Sequence, residues 1–173
     1  MKYKTFETER LTLSPTTEND CEFILTLMNT AKWHKYIGDR NVKTITDANA
    51  YINEKMQPQL DRLGYSNYTI VRKDDGTKVG TCGLYDREGL EGIDIGFAFL
   101  PEYEKQGYAY EAANRLKQAA FNEFGIKTIN AITVKDNVPS QKLLAKLGLK
   151  LTGTTQLPGE DEVLLVYSIA ASI

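Results

Sequence analysis

The segment Pro101-Glu102-Tyr103-Glu104-Lys105-Gln106-Gly107-Tyr108-Ala109 has the make-up of an anion cradle. It lies between a run read as a strand, Gly92 to Leu100, and an apolar helical pattern that begins at Ala109. The first four N–H groups of a helix lack partners inside it, and the macrodipole adds about half a positive charge, so phosphate can be held there without basic side chains. Gly107 permits close approach, small Ala109 leaves the helix start unobstructed, and Lys105 supplies screening charge. An ordinary strand-to-helix loop with a turn glycine fits the same residues equally well.

A second segment, Asp136 to Gly148, follows a β-rich run that ends at Val134. Asn137 and Ser140 stand at the mouth of a helix opened by Pro139, where an amide and a hydroxyl either cap the helix or reach a ligand; capping alone accounts for both. Other chemistries lack their residues. No G-x-G-x-x-G or Walker spacing occurs, and Gly64-Tyr65-Ser66 lacks the second glycine of a nucleophile elbow. The single histidine, His34, removes HExxH-type sites, so no catalytic metal is predicted.

The elements that must position these segments are read from periodicity. Leu11 and Leu13 alternate with polar neighbours in a strand over Glu7 to Ser14. Phe23, Ile24, Leu27 and Met28 predict a helix whose stripe continues through Trp33, Tyr36 and Ile37 to Gly38. A further helix runs from Thr46 or Asp47 to Gly64, with Pro58 implying a kink or break. The period then changes to two: Tyr68 to Arg72 and Lys78 to Tyr85 form a hairpin about Asp74-Asp75-Gly76. In the next strand Ile93, Ile95, Phe97 and Phe99 make one face, while Asp94, Gly96 and Ala98 leave the other nearly bare. A helix over Ala109 to Phe124 follows, with Glu111 and Arg115 spaced to pair. Then come a strand at Thr128 to Val134, a helix burying Leu143, Leu144 and Leu147, and strands near Lys150 to Leu157 and Val163 to Ser168.

At 173 residues, 42% apolar and 25% charged, the chain fits one α+β domain spanning residues 1–173, large enough to need neither disulfide nor structural metal. Twenty-one Lys and Arg against 23 Asp and Glu give a net charge of −2, with no basic excess for nucleic acid or an anionic membrane. The apolar runs are far shorter than a membrane span, which takes ~18 residues. Cys21 and Cys82 have no CxxC spacing and the opening ten residues are too charged for a signal peptide, so a cytoplasmic protein with reduced thiols is expected.

Taken in order, Glu9-Arg10-Leu11, Asp94-Ile95-Gly96-Phe97, Pro101-Glu102-Tyr103, Gln106-Gly107-Tyr108-Ala109-Tyr110-Glu111-Ala112, and Asn137 with Ser140 before Lys146-Leu147-Gly148 resemble the GNAT superfamily of acyl-CoA-dependent N-acetyltransferases. Within it they are most similar to the ribosomal-protein-alanine acetyltransferase (RimJ/RimL) type, across essentially the whole chain. The resemblance implies a mostly antiparallel sheet of six to seven strands flanked by about four helices, splayed where the central strand parts from the next parallel one. It also implies acetyl-CoA as co-substrate: Phe97, Ala98, Phe99 and Leu100 along the pantetheine, amides of Lys105, Gln106, Gly107, Tyr108, Ala109 and Tyr110 on the pyrophosphate, and Asn137 with Ser140 on the far wall.

Two positions depart from the superfamily pattern. Glu104 and Lys105 stand where many members open the loop with Arg or Gln and then Gly, so Glu104 must point away from the phosphates. Leu144 replaces a tyrosine that protonates the leaving thiolate, so either Ser140 takes that role or the low-pKa thiolate leaves without an acid. The implied reaction is direct attack of a primary amine on the thioester, with a backbone N–H near Phe97 or Ala98 holding the oxyanion. Asp94 is the base candidate, acting through water, with Glu91 and Glu102 as rivals. His34, with Trp33 and Tyr36, either touches the acceptor or joins an aromatic cluster, and Tyr65, Tyr68, Tyr85 and Tyr103 share that ambiguity. A protein N-terminus is the expected acceptor. A small amine such as an antibiotic or polyamine, a non-catalytic CoA-binding module and a protein-interaction domain are the alternatives, and monomer and homodimer both remain open.

Overall fold

A computed structural model describes residues 2–172 of the chain. Strand β1 (Phe6–Glu7) and β2 (Leu11–Pro15) open the fold. Helices α1 (Cys21–Met28), α2 (Ala31–Tyr36), α3 (Ile45–Tyr51) and α4 (Gln57–Leu63) follow. Strands β3 (Asn67–Arg72), β4 (Lys78–Asp86) and β5 (Ile93–Phe99) form a meander that leads into helix α5 (Tyr108–Asn122). The chain ends with β6 (Thr128–Val134), α6 (Val138–Lys146), β7 (Lys150–Thr155) and β8 (Leu164–Ala170).

The strands form an eight-stranded sheet in the order β1-β2-β3-β4-β5-β6-β8-β7, antiparallel at every pairing except β5–β6. The expected α+β architecture is the one observed, with one strand more than predicted. Two-residue β1 is too short for any alternation to reveal it.

Three local departures have physical causes. The apolar stripe from Phe23 to Gly38 is broken into α1 and α2 because the Thr30 hydroxyl accepts the Trp33 N–H and starts a new helix. The following helix starts at Ile45, under a capping box of Thr44 and Asp47. Its flaw at Pro58 is accommodated upstream: the turns widen to a π-helical stretch over Ile52–Met56, where the proline has no N–H to offer the ladder. Glu111 and Arg115, though four apart, do not pair. Glu111 binds Arg10 and Arg115 binds Glu123.

One sheet face carries the main core. Leu11, Leu13, Ile70, Leu84, Ile95 and Ile129 pack beneath α5, whose Ala112, Ala113, Ala119 and Ala120 bring its axis close to the strands around Leu116. On the opposite face the strands are polar, and α1 and α3 close over it with their own cluster of Ile24, Met28, Val42, Ala48, Ile52 and Met56. Tyr65 and Tyr68 belong to the main core, stacked in a chain with Phe124 and Phe6. No helix among the described residues is long and apolar enough to cross a membrane.

Candidate active site

The parallel pairing of β5 and β6 extends over two positions, Ile93↔Ile129 and Asp94↔Asn130, although each strand has seven residues. On its other side β5 stays paired with β4 as far as Phe99. The strands therefore part beyond Asp94 and leave a wedge. The Leu100 N–H donates to the Val79 carbonyl, on the β4 side, and the Leu100 carbonyl accepts from Tyr103. Backbone alternation then turns the N–H and C=O groups of Phe97 and Phe99 toward the wedge, while those of Ala98 face β4. The closed end is pinned by Asn130, whose amide donates to the Glu91 carbonyl at 2.8 Å and whose oxygen accepts from Ser168 at 2.6 Å. A wedge with unpaired backbone groups on its wall suits a thin, extended ligand rich in amides.

At the open end of β5 the chain makes a single turn of 3-10 helix, Pro101–Tyr103, and enters α5 through Gly107. Lys105 (φ 59°) and Gly107 (φ 82°) both adopt left-handed backbone, and no side chain caps the helix. The first bond of α5 is Glu111 N–H to the Gly107 carbonyl, so the N–H groups of Tyr108, Ala109 and Tyr110 precede the ladder. A Cβ on Gly107 would lie 3.2 Å from Arg10 Nη2.

Arg10 is the side chain at this loop that periodicity missed. Its Nη1 donates to the Gln106 carbonyl at 2.9 Å, its Nε to Glu111 Oε2 at 2.9 Å, and its guanidinium lies 4.4 Å from the centre of the Tyr108 ring. Arg72, from the end of β3, stacks on Tyr103 at 5.2 Å. The sheet thus grips the loop on both sides of Gly107. The signal for Arg10 was the Glu9-Arg10-Leu11 motif; its partner lies 101 positions away, beyond the reach of local spacing. The Glu104 carboxylate is ion-paired with Lys32 of α2.

Across the wedge, Asn137 caps α6, its side-chain oxygen accepting the Ser140 N–H at 3.3 Å. The Ser140 hydroxyl has no protein partner among the described residues, and Leu144, one turn on, is fully buried. The capping role of Asn137 is therefore real, and it leaves the amide nitrogen of Asn137 and the Ser140 hydroxyl for other use.

Asp94 sits at the closed end, 1% exposed, under the guanidinium of Arg87 at 3.2 Å (Nε to Oδ1) and 3.3 Å (Nη2 to Oδ2). Burial pushes its carboxyl above the ordinary range, against the pull of Arg87. Its cross-strand neighbour is Tyr85. The bare face of β5, read as room for a ligand, is partly taken by this ring: a Cβ on Gly96 would be 3.0 Å from Tyr85 Cε2. The Tyr85 hydroxyl donates to Asn67 at 2.6 Å, and the chain continues through Thr16 and Thr69 to Asp20, which pairs with Lys78 at 2.7 Å. A tyrosine whose proton is committed in this way is fixed in place.

The candidates do not all converge. Asp94 adjoins Asn130 near the start of β6, whereas Ser140 follows the strand's end at Val134, so the two belong to opposite ends of that strand. Glu91 lies near Asp94, whereas Glu102 stands at the far end of β5. His34 is exposed on α2, while Trp33 packs against the smaller core. The connection 156–163 folds back over the N-terminal part of the chain: Pro158 occupies the space a Cβ on Gly89 would need, and Glu160 pairs with Arg40 at 3.7 Å.

The family model described as an acetyltransferase (GNAT) domain matches residues 10–150, so the chain belongs to the GNAT acetyltransferase family and is an N-acetyltransferase. It is similar to the uncharacterized N-acetyltransferase YoaA of Bacillus subtilis, 28% identical over 148 residues, 85% of this chain and 83% of that protein. The fold matches ribosomal-protein-S5-alanine acetyltransferase from Vibrio fischeri (TM-score 0.80, 19% identity, 96% of each chain). It also matches the microcin C7 self-immunity acetyltransferase MccE, solved with acetyl-CoA and AMP (TM-score 0.78, 19% identity, 95% of this chain and 94% of that one).

Proposed function

We propose that the chain transfers the acetyl group of acetyl-CoA to a primary amine, with a protein N-terminus as the acceptor. The parting of β5 from β6 beyond Asp94, running into an uncapped helix start at Gly107, carries this reading. Acetyl-CoA supplies an activated thioester. The N–H groups of Tyr108, Ala109 and Tyr110 would hold its pyrophosphate, with Lys105, Gln106 and Gly107 shaping the turn. Phe97 and Phe99 would pair with the amides of the pantetheine arm, Ala98 and Leu100 would keep that strand in register, and Asn137 with Ser140 would line the opposite wall.

For chemistry, an amine must reach the thioester carbonyl unprotonated, and the thiolate must leave. Asp94 lies where the wedge closes. Burial raises its proton affinity and Arg87 opposes that rise, which suits its ionised form to take a proton from the ammonium through water. The Phe97 N–H, which faces the wedge, would hold the developing oxyanion. The free Ser140 hydroxyl can protonate the thiolate where Leu144 cannot. Reduced cysteines and the soluble-type composition fit a cytoplasmic setting.

The acceptor class rests on the motif resemblance to the RimJ/RimL type. It is tested by thiol release from acetyl-CoA in the presence of short peptides with free N-termini and a panel of polyamines and aminoglycosides. Release that responds to peptides supports the proposal; release that responds only to the small amines replaces the acceptor.

A further inference from the structure

The loop that opens α5 has no cationic excess. Its own side chains and those bound to it bring five carboxylates, Glu102, Glu104, Glu111, Asp74 and Asp75, and four cations, Lys32, Arg10, Arg72 and Lys105. Arg10 is engaged with Glu111, and Arg72 with Asp74 and Asp75. Glu104 stands nearest to the left-handed turn at Lys105, its backbone fixed by the N–H bond to the Pro101 carbonyl. Its side chain is mostly covered, at 24% exposure, and Lys32 is its ion-pair partner. A covered, unneutralised carboxylate beside the cradle would repel any polyanion seated there.

Lys32 comes from α2, a six-residue helix that buries none of its residues. No packing demand accounts for a lysine at this position. We infer that Lys32 is the countercharge that allows a phosphate loop opening with a carboxylate to hold the donor nucleotide, and so is a positioning residue for donor binding contributed by the helix on the acceptor side. This rests on the donor reading above and adds a residue to it. Lys32 contacts neither phosphate nor thioester in this role; it acts through Glu104.

Calorimetric titration with CoA at low ionic strength tests the inference without knowledge of the acceptor. Lys32→Ala should weaken binding roughly three- to tenfold, and Lys32→Arg should stay within about twofold of wild type. Glu104→Gln should bind at least as well as wild type, and the double variant Lys32→Ala with Glu104→Gln should recover to within about twofold of Glu104→Gln alone. That recovery separates a charge role from mere docking of α2. Because Lys32 is itself exposed and outside both cores, these variants should melt with the wild-type chain; Glu104→Lys, expected to bind CoA more tightly, is an independent route to the same answer. An unchanged affinity in Lys32→Ala, a double variant as weak as Lys32→Ala, or weaker binding by Glu104→Lys would each overturn it. Wild-type chain that takes up no CoA would refute the donor reading itself, a result distinct from wild-type binding that Lys32→Ala leaves untouched.

Discussion

A carboxylate buried under an arginine, as Asp94 is under Arg87, can be structural, catalytic or both, and its titration separates the roles. Its folded-state carboxyl is raised above the unfolded value of ~3.9. The fold therefore favours the protonated form, and the stability gained from it is present at low pH and lost as pH rises through the raised value. In catalysis the sign is opposite, because only the ionised form accepts a proton. The kcat/KM profile should show an acid limb above the ordinary carboxylate range. Asp94→Asn should remove that limb and lower turnover about 10²- to 10⁴-fold, with CoA affinity unchanged. An unaltered profile would strip Asp94 of the role. Cys82 provides a simpler case: complete burial pushes its thiol up to about 12, so it should resist alkylation in the native chain and react at once when unfolded.

At the scale of elements, the proposed donor loop depends on a strand, a turn and a helix held in one arrangement by distant side chains. Arg10→Ala removes the fork to Glu111 and the stack on Tyr108; donor Kd should rise roughly tenfold, and Arg10→Lys should not rescue it, since a lysine cannot bridge Gln106 and Glu111 in a planar fork. Gly107→Ala should weaken CoA binding by a similar factor, because a side chain at φ 82° costs about 1–2 kcal/mol and crowds Arg10. Leu116→Ala, beneath the same helix, should cost about 2–5 kcal/mol of stability in denaturant titration. The helix itself was legible in the sequence, since its alanines and Leu116 recur at helical spacing. So were the Thr128–Val134 strand, the caps at Asn137 and Gly64, and the break at Pro58. What sequence spacing did not reveal is long-range pairing. Glu111 chose Arg10 over Arg115, and Tyr85 filled the space above Gly96; both choices depend on which strands become neighbours. The split of α1 from α2 turned on a single hydroxyl, Thr30.

Over the whole molecule, the sheet is one continuous surface that fails at a single pairing, and the proposed chemistry depends on that failure. The main core beneath α5 and the smaller core of the N-terminal helices grip opposite faces of β2 to β5, while α6 with β7 and β8 travels with β6. The wedge is therefore a boundary between two halves of one sheet, bridged by Pro158 against Gly89 and by Arg40 with Glu160. Amide hydrogen exchange, resolved by residue with and without CoA, tests this arrangement most directly. The N–H groups of Phe97, Phe99, Tyr108, Ala109 and Tyr110 should become protected when CoA is added, while exposed amides of β7 stay as they were. CoA that binds and leaves those five amides exchanging at their free rates would contradict the account.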